Sequence, residues 1–182
     1  ACRGAKNAAL KLVPATILFD TPVEIGNMPI IEDVERSREL FEALGGEVSK
    51  IDERTWKFDN YSMNEYKLDE TLVNKFRASI MFVGPLLAKY GKVAFPHPGG
   101  CVIGAGSRPI DMFLEGYQKF GATVKYEDEH YIIEAADGLK AAYYFMSKIS
   151  VTVTETMIML AVLAEGKTVL RNCAMEPEII EL

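Results

Sequence analysis

Three stretches of the chain, residues 5–19, 71–90 and 152–165, carry Ala, Leu, Ile, Met and Phe on nearly every helical face. A helix that is apolar all round suits burial on every side rather than contact along one stripe. Between these stretches the pattern changes period. Val23-x-Ile25-x-Asn27 and Thr168-x-Leu170-x-Asn172 alternate with period two, as half-buried strands do. Residues 40–48 and 116–124 each read as a helix closed by a C-terminal glycine and followed by a strand. Short strand pairs then follow, 48–51 with 55–58 and 124–126 with 131–134.

These elements recur. Leu87-Ala88-Lys89-Tyr90-Gly91-Lys92-Val93 is echoed by Leu163-Ala164-Glu165-Gly166-Lys167-Thr168, and more faintly by Leu18-Phe19-Asp20-Thr21-Pro22-Val23. One unit reads as helix, strand, helix, strand, strand, and residues 1–182 hold about two and a half units as a single domain. The third unit is expected to break off at Leu182, where its second helix should begin. The class is α/β, with three buried helices and strand pairs outside them, whereas most α/β folds put the sheet inside.

Composition narrows the function. With 49% hydrophobic and 25% charged residues the 182-residue chain is ordinary for a globular domain. A formal charge of -6 argues against nucleic acid as the main partner, though not against a small phosphorylated ligand held by local cations. Three scattered cysteines, odd in number and free of CxxC spacing, predict a reduced protein without structural bridges. The longest apolar run, 157–164, is far below the ~20 residues of a membrane span, and no charged-then-apolar leader precedes residue 10. The expectation is cytoplasmic. Asn60-Tyr61-Ser62 matches a glycosylation acceptor, a triplet that arises often by chance.

Candidate chemistry sits at element boundaries. Lys6-Asn7 opens the first apolar helix, either as a cap or as an anion site beside free N-terminal amides. Arg77 stands in an apolar run, and a buried guanidinium there needs an ion pair or an anionic ligand. Residues 96–109 form a glycine- and proline-rich loop of the kind where functional residues concentrate. Gly104-x-Gly106 lacks the third glycine of a dinucleotide fingerprint. Within the loop, glycines leave Cys101 accessible, and His97 and Arg108 would lower its pKa; Cys2 and Cys173 lack such a setting. Lys148-Ile149-Ser150-Val151 leads into the third apolar helix, either as a phosphate-binding turn or as a strand edge with a serine cap.

Gly4-Ala5-Lys6-Asn7-Ala8-Ala9-Leu10, Arg77-Ala78-Ser79, Pro98-Gly99-Gly100-Cys101, Arg108-Pro109-Ile110-Asp111 and Lys148-Ile149-Ser150-Val151 together resemble the signature set of UDP-N-acetylglucosamine enolpyruvyl transferases, in the EPSP synthase superfamily. The resemblance runs over essentially the whole chain and covers less than half of a family member, which has two such domains. It implies one domain of an inside-out α/β barrel. It also implies transfer of enolpyruvyl from phosphoenolpyruvate to the 3-hydroxyl of the sugar nucleotide, the first committed step of peptidoglycan precursor synthesis. Lys6, Asn7 and Arg108 would contact phosphoenolpyruvate. Arg77 would contact UDP-N-acetylglucosamine, Arg108, Pro109, Ile110, Asp111 and Met112 would flank its uridine, and Lys148, Ile149, Ser150 and Val151 would hold its diphosphate. Cys101 would be the catalytic proton donor, the holder of a covalent adduct and the target of fosfomycin. No metal or organic cofactor is implied, and no nucleic acid or membrane partner. The sugar-hydroxyl base would lie on a second domain absent from these residues, leaving the isolated chain inactive.

Three departures stand out. Ala105-Gly106-Ser107 lengthens the loop between Cys101 and Arg108, Thr152 stands where the family prefers glycine, and Phe113 replaces a usual histidine. The first two motivate an alternative, a non-catalytic sugar-nucleotide-binding paralogue that would not react with phosphoenolpyruvate at Cys101. Shikimate-phosphate enolpyruvyl transfer is a further alternative, disfavoured by Gly99-Gly100-Cys101.

Overall fold

The computed structural model describes residues 4–75, 77–96 and 110–182. Its buried interior is made of helices. Helix α1 (Lys6–Ala15) runs into a 3-10 turn at Thr16–Leu18, and α2 (Glu32–Ala43) covers it from outside. Helix α3 (Glu70–Lys75), a 3-10 segment at Arg77–Phe82 and α4 (Val83–Tyr90) follow. Then come α5 (Asp111–Lys119), α6 (Val151–Ala161) and the short α7 (Pro177–Glu181). In α4 the five residues from Val83 to Leu87 are all buried, and in α6 the five from Val153 to Met157. Five consecutive positions span more than one helical turn, so neither helix keeps a solvent face there.

The expected single helix over 71–90 is a helix, a 3-10 segment and a second helix. Pro85 explains the restart: it has no N–H for the carbonyl of Met81, so it is tolerated only in the first turn of a new helix. Gly84 fixes where α4 crosses α6. A Cβ there would lie 2.9 Å from Thr156 Cγ2 and 3.0 Å from its carbonyl oxygen, so only glycine lets the helices come this close.

The sheets lie outside. Strands β1 (Val23–Ile25), β2 (Glu47–Lys50) and β3 (Trp56–Asp59) form an antiparallel sheet in the order β1-β3-β2. Strands β4 (Lys92–Pro96), β5 (Thr123–Glu127) and β6 (His130–Glu134) repeat it as β4-β6-β5. In each sheet a buried central residue faces valines on both sides: Phe58 between Val23 and Val48, Ile133 between Val93 and Val124. The expected closing glycines, Gly45 and Gly121, adopt left-handed φ of 92° and 89°. A parallel pair, β7 (Tyr143–Phe145) with β8 (Val169–Arg171), completes the strands, and the periodicity did not announce β7. A matching parallel bridge joins Lys67 to Ala94 at the free side of β4.

One core joins these layers. Val13 and Ile17 of the first helical stretch meet Phe82, Leu86 and Leu87, then Met157 and Leu160 of α6. From outside it is sealed by Leu40 and Phe41 of α2, Tyr117 and Phe120 of α5, and Trp56, Phe58, Val93, Phe95 and Ile133 of the sheets. Each large apolar side chain so buried contributes about 1.5–3 kcal/mol. Asn60, of the acceptor-like triplet, donates its amide to the carbonyls of Thr16, Ile17 and Phe19, closing the end of the α1 stretch.

Candidate active site

The expected site residues that the structure describes lie at or just before the starts of helical segments. Lys6 and Asn7 occupy the first turn of α1, both exposed. Ala5 at the N-cap is extended and, among the described residues, no side chain caps this end, which leaves the amides and the positive end of the helix dipole open to them. Gly4 sets the entry: a Cβ there would lie 2.1 Å from the Asn27 carbonyl oxygen. Lys6 Nζ pairs with Asp33 Oδ2 of α2 at 3.0 Å across a half-exposed gap, an interaction an incoming anion would have to share. Ala5, Lys6 and Asn7 line an open cavity, whose other wall is Pro177, Glu178 and Glu181 of α7.

A second start belongs to α6. Ser150 is its N-cap, and its hydroxyl accepts from the Val153 amide at 3.4 Å. The serine cap is therefore real, five residues beyond the end of β7. Lys148 and Ile149 are exposed in the turn before it, and Val151 is half-buried. Thr152, in the glycine-preferring position, brings its hydroxyl to 3.4 Å from that of Ser150. The third start is α5, where Ile110 is the half-buried N-cap and Asp111 is exposed. Met112 is buried, and its carbonyl accepts the Tyr144 hydroxyl at 2.8 Å, so only its backbone can flank a ligand.

Arg77 corrects the sequence reading. It is exposed, at the start of the 3-10 segment, because the break in the helix turns it off the buried face. Neither Arg77 nor Lys148 forms an ion pair among the described residues. Cys101, Arg108 and Pro109, with His97, lie outside the described residues.

Sequence reasoning passed over one arrangement near these helix starts. Lys11 on α1 donates to Glu155 Oε1 on α6, with side chains only 2% and 4% exposed. Burial pushes the Glu155 carboxyl up, outweighing the downward pull of Lys11, and Glu178 and Glu176 push the same way. The signal was available: one charged residue stands in the middle of each of two largely apolar helices.

The family description "EPSP synthase (3-phosphoshikimate 1-carboxyvinyltransferase)" matches residues 1–182. The chain belongs to the EPSP synthase family. It is 43% identical over 180 residues to the UDP-N-acetylglucosamine 1-carboxyvinyltransferase of Shewanella piezotolerans, covering 98% of this chain and 42% of that protein. Identity to the enzyme of the same name from Hydrogenovibrio crunogenus is 44% over 179 residues, again 98% of this chain and 42% of the relative. This EPSP synthase family chain thus spans 42% of the length of these relatives. Its backbone matches the enolpyruvyl transferase NikO from Streptomyces tendae with a TM-score of 0.82 at 19% identity, over 98% of this chain and 41% of that one. An EPSP synthase from Acinetobacter baumannii matches with a TM-score of 0.75 at 14% identity, over the same shares. At such identities the likeness speaks for the α/β enolpyruvyl transferase fold, with helices inside and sheets outside.

Proposed function

We propose that the protein containing residues 1–182 is a transferase that moves the enolpyruvyl group of phosphoenolpyruvate onto the 3-hydroxyl of UDP-N-acetylglucosamine, releasing phosphate in peptidoglycan precursor synthesis. The reading is carried by identity of 43% over 98% of the chain to enzymes of that name. The geometry supports it: the segments that resemble the family's binding motifs fall at the starts of α1, α5 and α6, with exposed Lys6 beside the amides of α1 and exposed Lys148 just before α6, an arrangement that suits anions.

In this reading Lys6, Asn7 and Arg108 hold phosphoenolpyruvate and stabilise charge that develops at its phosphate. Arg77 contacts the sugar nucleotide, Arg108, Pro109, Ile110, Asp111 and the Met112 backbone flank the uridine, and Lys148, Ile149, Ser150 and Val151 cradle the diphosphate. The Cys101 thiol gives a proton to the methylene carbon, and the sugar hydroxyl adds to the neighbouring carbon. Loss of that proton and of phosphate then restores the double bond. Residues 1–182 form one domain, and a second supplies the base for the hydroxyl and closes over the substrates, excluding water. The setting is the cytoplasm.

The test is release of phosphate from phosphoenolpyruvate, dependent on UDP-N-acetylglucosamine, by the full natural protein. Turnover should collapse in Cys101→Ser while sugar-nucleotide affinity holds, and fosfomycin should label Cys101. Tight nucleotide binding with neither turnover nor reaction at Cys101 would make the protein the non-catalytic paralogue. Turnover with shikimate 3-phosphate instead would reassign the acceptor.

A further inference from the structure

We infer that the buried Lys11–Glu155 pair is a positioning device, which fixes the start of α1 against the start of α6 and so sets the phosphoenolpyruvate cradle relative to the diphosphate turn. The inference rests on the functional reading above for what is being positioned. That something is positioned rests on packing alone.

Asn7 and Lys11 are one turn apart and share a face of α1; Val151 and Glu155 stand in the same relation on α6. Each helix start therefore lies only about 6 Å along its own helix from the pair. Helix α6 is set against α4 by Gly84 and Thr156, and among the described residues the Lys11–Glu155 contact is the hydrogen bond that ties α1 directly to α6. Hydrophobic burial by itself discriminates poorly between rotations of such largely apolar helices about their axes. The buried side chains of and around α6 include Met81, Met146, Met157 and Met159, flexible thioethers that repack readily. Pro14 adds play to α1, since it leaves the Leu10 carbonyl, one residue from Lys11, without its helical donor.

An ion pair in such surroundings contributes little net stability compared with apolar residues of the same volume, because two charges must first be desolvated. What it contributes is discrimination. Any slip of one helix against the other leaves an unpaired charge 2% or 4% exposed, a far larger penalty than the slip costs in apolar contact. One register survives. The energetics thus point away from stability and towards geometry.

The test uses the full natural protein with Lys11→Met and Glu155→Leu, singly and together, and the exchanged pair Lys11→Glu with Glu155→Lys. Each single change should lower the melting temperature, and the apolar double should regain it. At that restored stability kcat should fall roughly ten- to a hundredfold, with KM for both substrates within about twofold, because misplacement damages alignment more than grip. The exchanged pair should recover kcat. An apolar double with both wild-type stability and wild-type kcat would overturn the inference.

A second readout needs no activity. Spin labels at Ala5→Cys and Ser147→Cys, in a background with the native cysteines replaced by serine, report the separation of the two helix starts. The distance distribution should broaden or shift in the apolar double, and an unchanged distribution would likewise overturn the inference. If the unsubstituted protein shows no enolpyruvyl transfer, the functional reading fails by itself, and the distance distribution still decides whether the pair positions these helices.

Discussion

Glu35 and Glu155 both accept hydrogen bonds from cations, and their carboxyls move in opposite directions. Glu35 lies on the outer face of α2, with Lys50 at 2.8 Å and Arg38 at 2.7 Å. Burial pulls its pKa up, but hydrogen bonds from Lys50 and Arg38 outweigh that and hold it below the ordinary value of 4.5. Glu155 lies between α1 and α6 with Lys11 as its one cation partner among the described residues, and there burial wins, so the carboxyl sits above 4.5. The outer group is a ladder in which Arg36 and Arg38 each bridge two glutamates of one helix; the inner is one contact between helices 144 residues apart in sequence. The lesson is that solvent, more than partner, sets what an ion pair does. Outside, charge is cheap to keep and each pair adds little; inside, it is costly to hold and costlier to leave unmatched.

The comparison breaks most easily at its buried end. Lys11→Met or Glu155→Leu alone should cost about 3–5 kcal/mol in chemical denaturation, because the surviving partner becomes an uncompensated buried charge. A loss below about 1 kcal/mol would put the pair in the same class as the α2 ladder. Next in size, Gly84→Ala should cost about 1–3 kcal/mol by pushing α4 off Thr156, which tests how tightly that helix crossing is set. Its denaturation midpoint reads this directly.

The pH dependence separates the regions by sign. A carboxyl raised on folding binds its proton more tightly in the native state, so the Glu155 contribution falls as pH rises from 4.5 towards its native value. A carboxyl lowered on folding acts the other way: the Glu35 contribution is present above 4.5 and is lost as pH falls through its native value. Urea midpoints measured across that range should lose the first slope in Glu155→Gln and the second in Glu35→Gln. Slopes of the same sign would dissolve the contrast. Smallest of all, Arg38→Ala should cost only a few tenths of a kcal/mol for each of its two pairs, and less again at high salt.

Much of the architecture was legible because it is written in local patterns. Period-two alternation marked β1 and β8, glycines closed α2 and α5, and apolar runs announced the buried helices. What escaped depends on partners distant in sequence. No local signal says that the 71–90 stretch breaks and turns Arg77 outwards, or that β7 exists, since its strand partner among the described residues, β8, follows a whole helix later. At the site, the motif segments at the helix starts could be picked out one by one. The link between Lys11 and Glu155 could not, because periodicity sees a charge in an apolar run and not the charge that answers it.

The parallel bridges have a consequence for how the molecule comes apart. The stretch around Lys67 follows the first three-stranded sheet, yet its hydrogen bonds go forward to β4: the Leu68 amide donates to the Ala94 carbonyl, and the Ala94 amide to Tyr66. In the same way β7, which follows the second sheet, pairs forward with β8. Each repeat therefore hands a strand to its successor, like a tile with an overlapping edge. Linear arrays whose repeats meet only at flat faces can fray one repeat at a time. Here, loss of either neighbour strips backbone partners from the other, so the amides of Leu68 and Ala94 should exchange with solvent together, in one global opening.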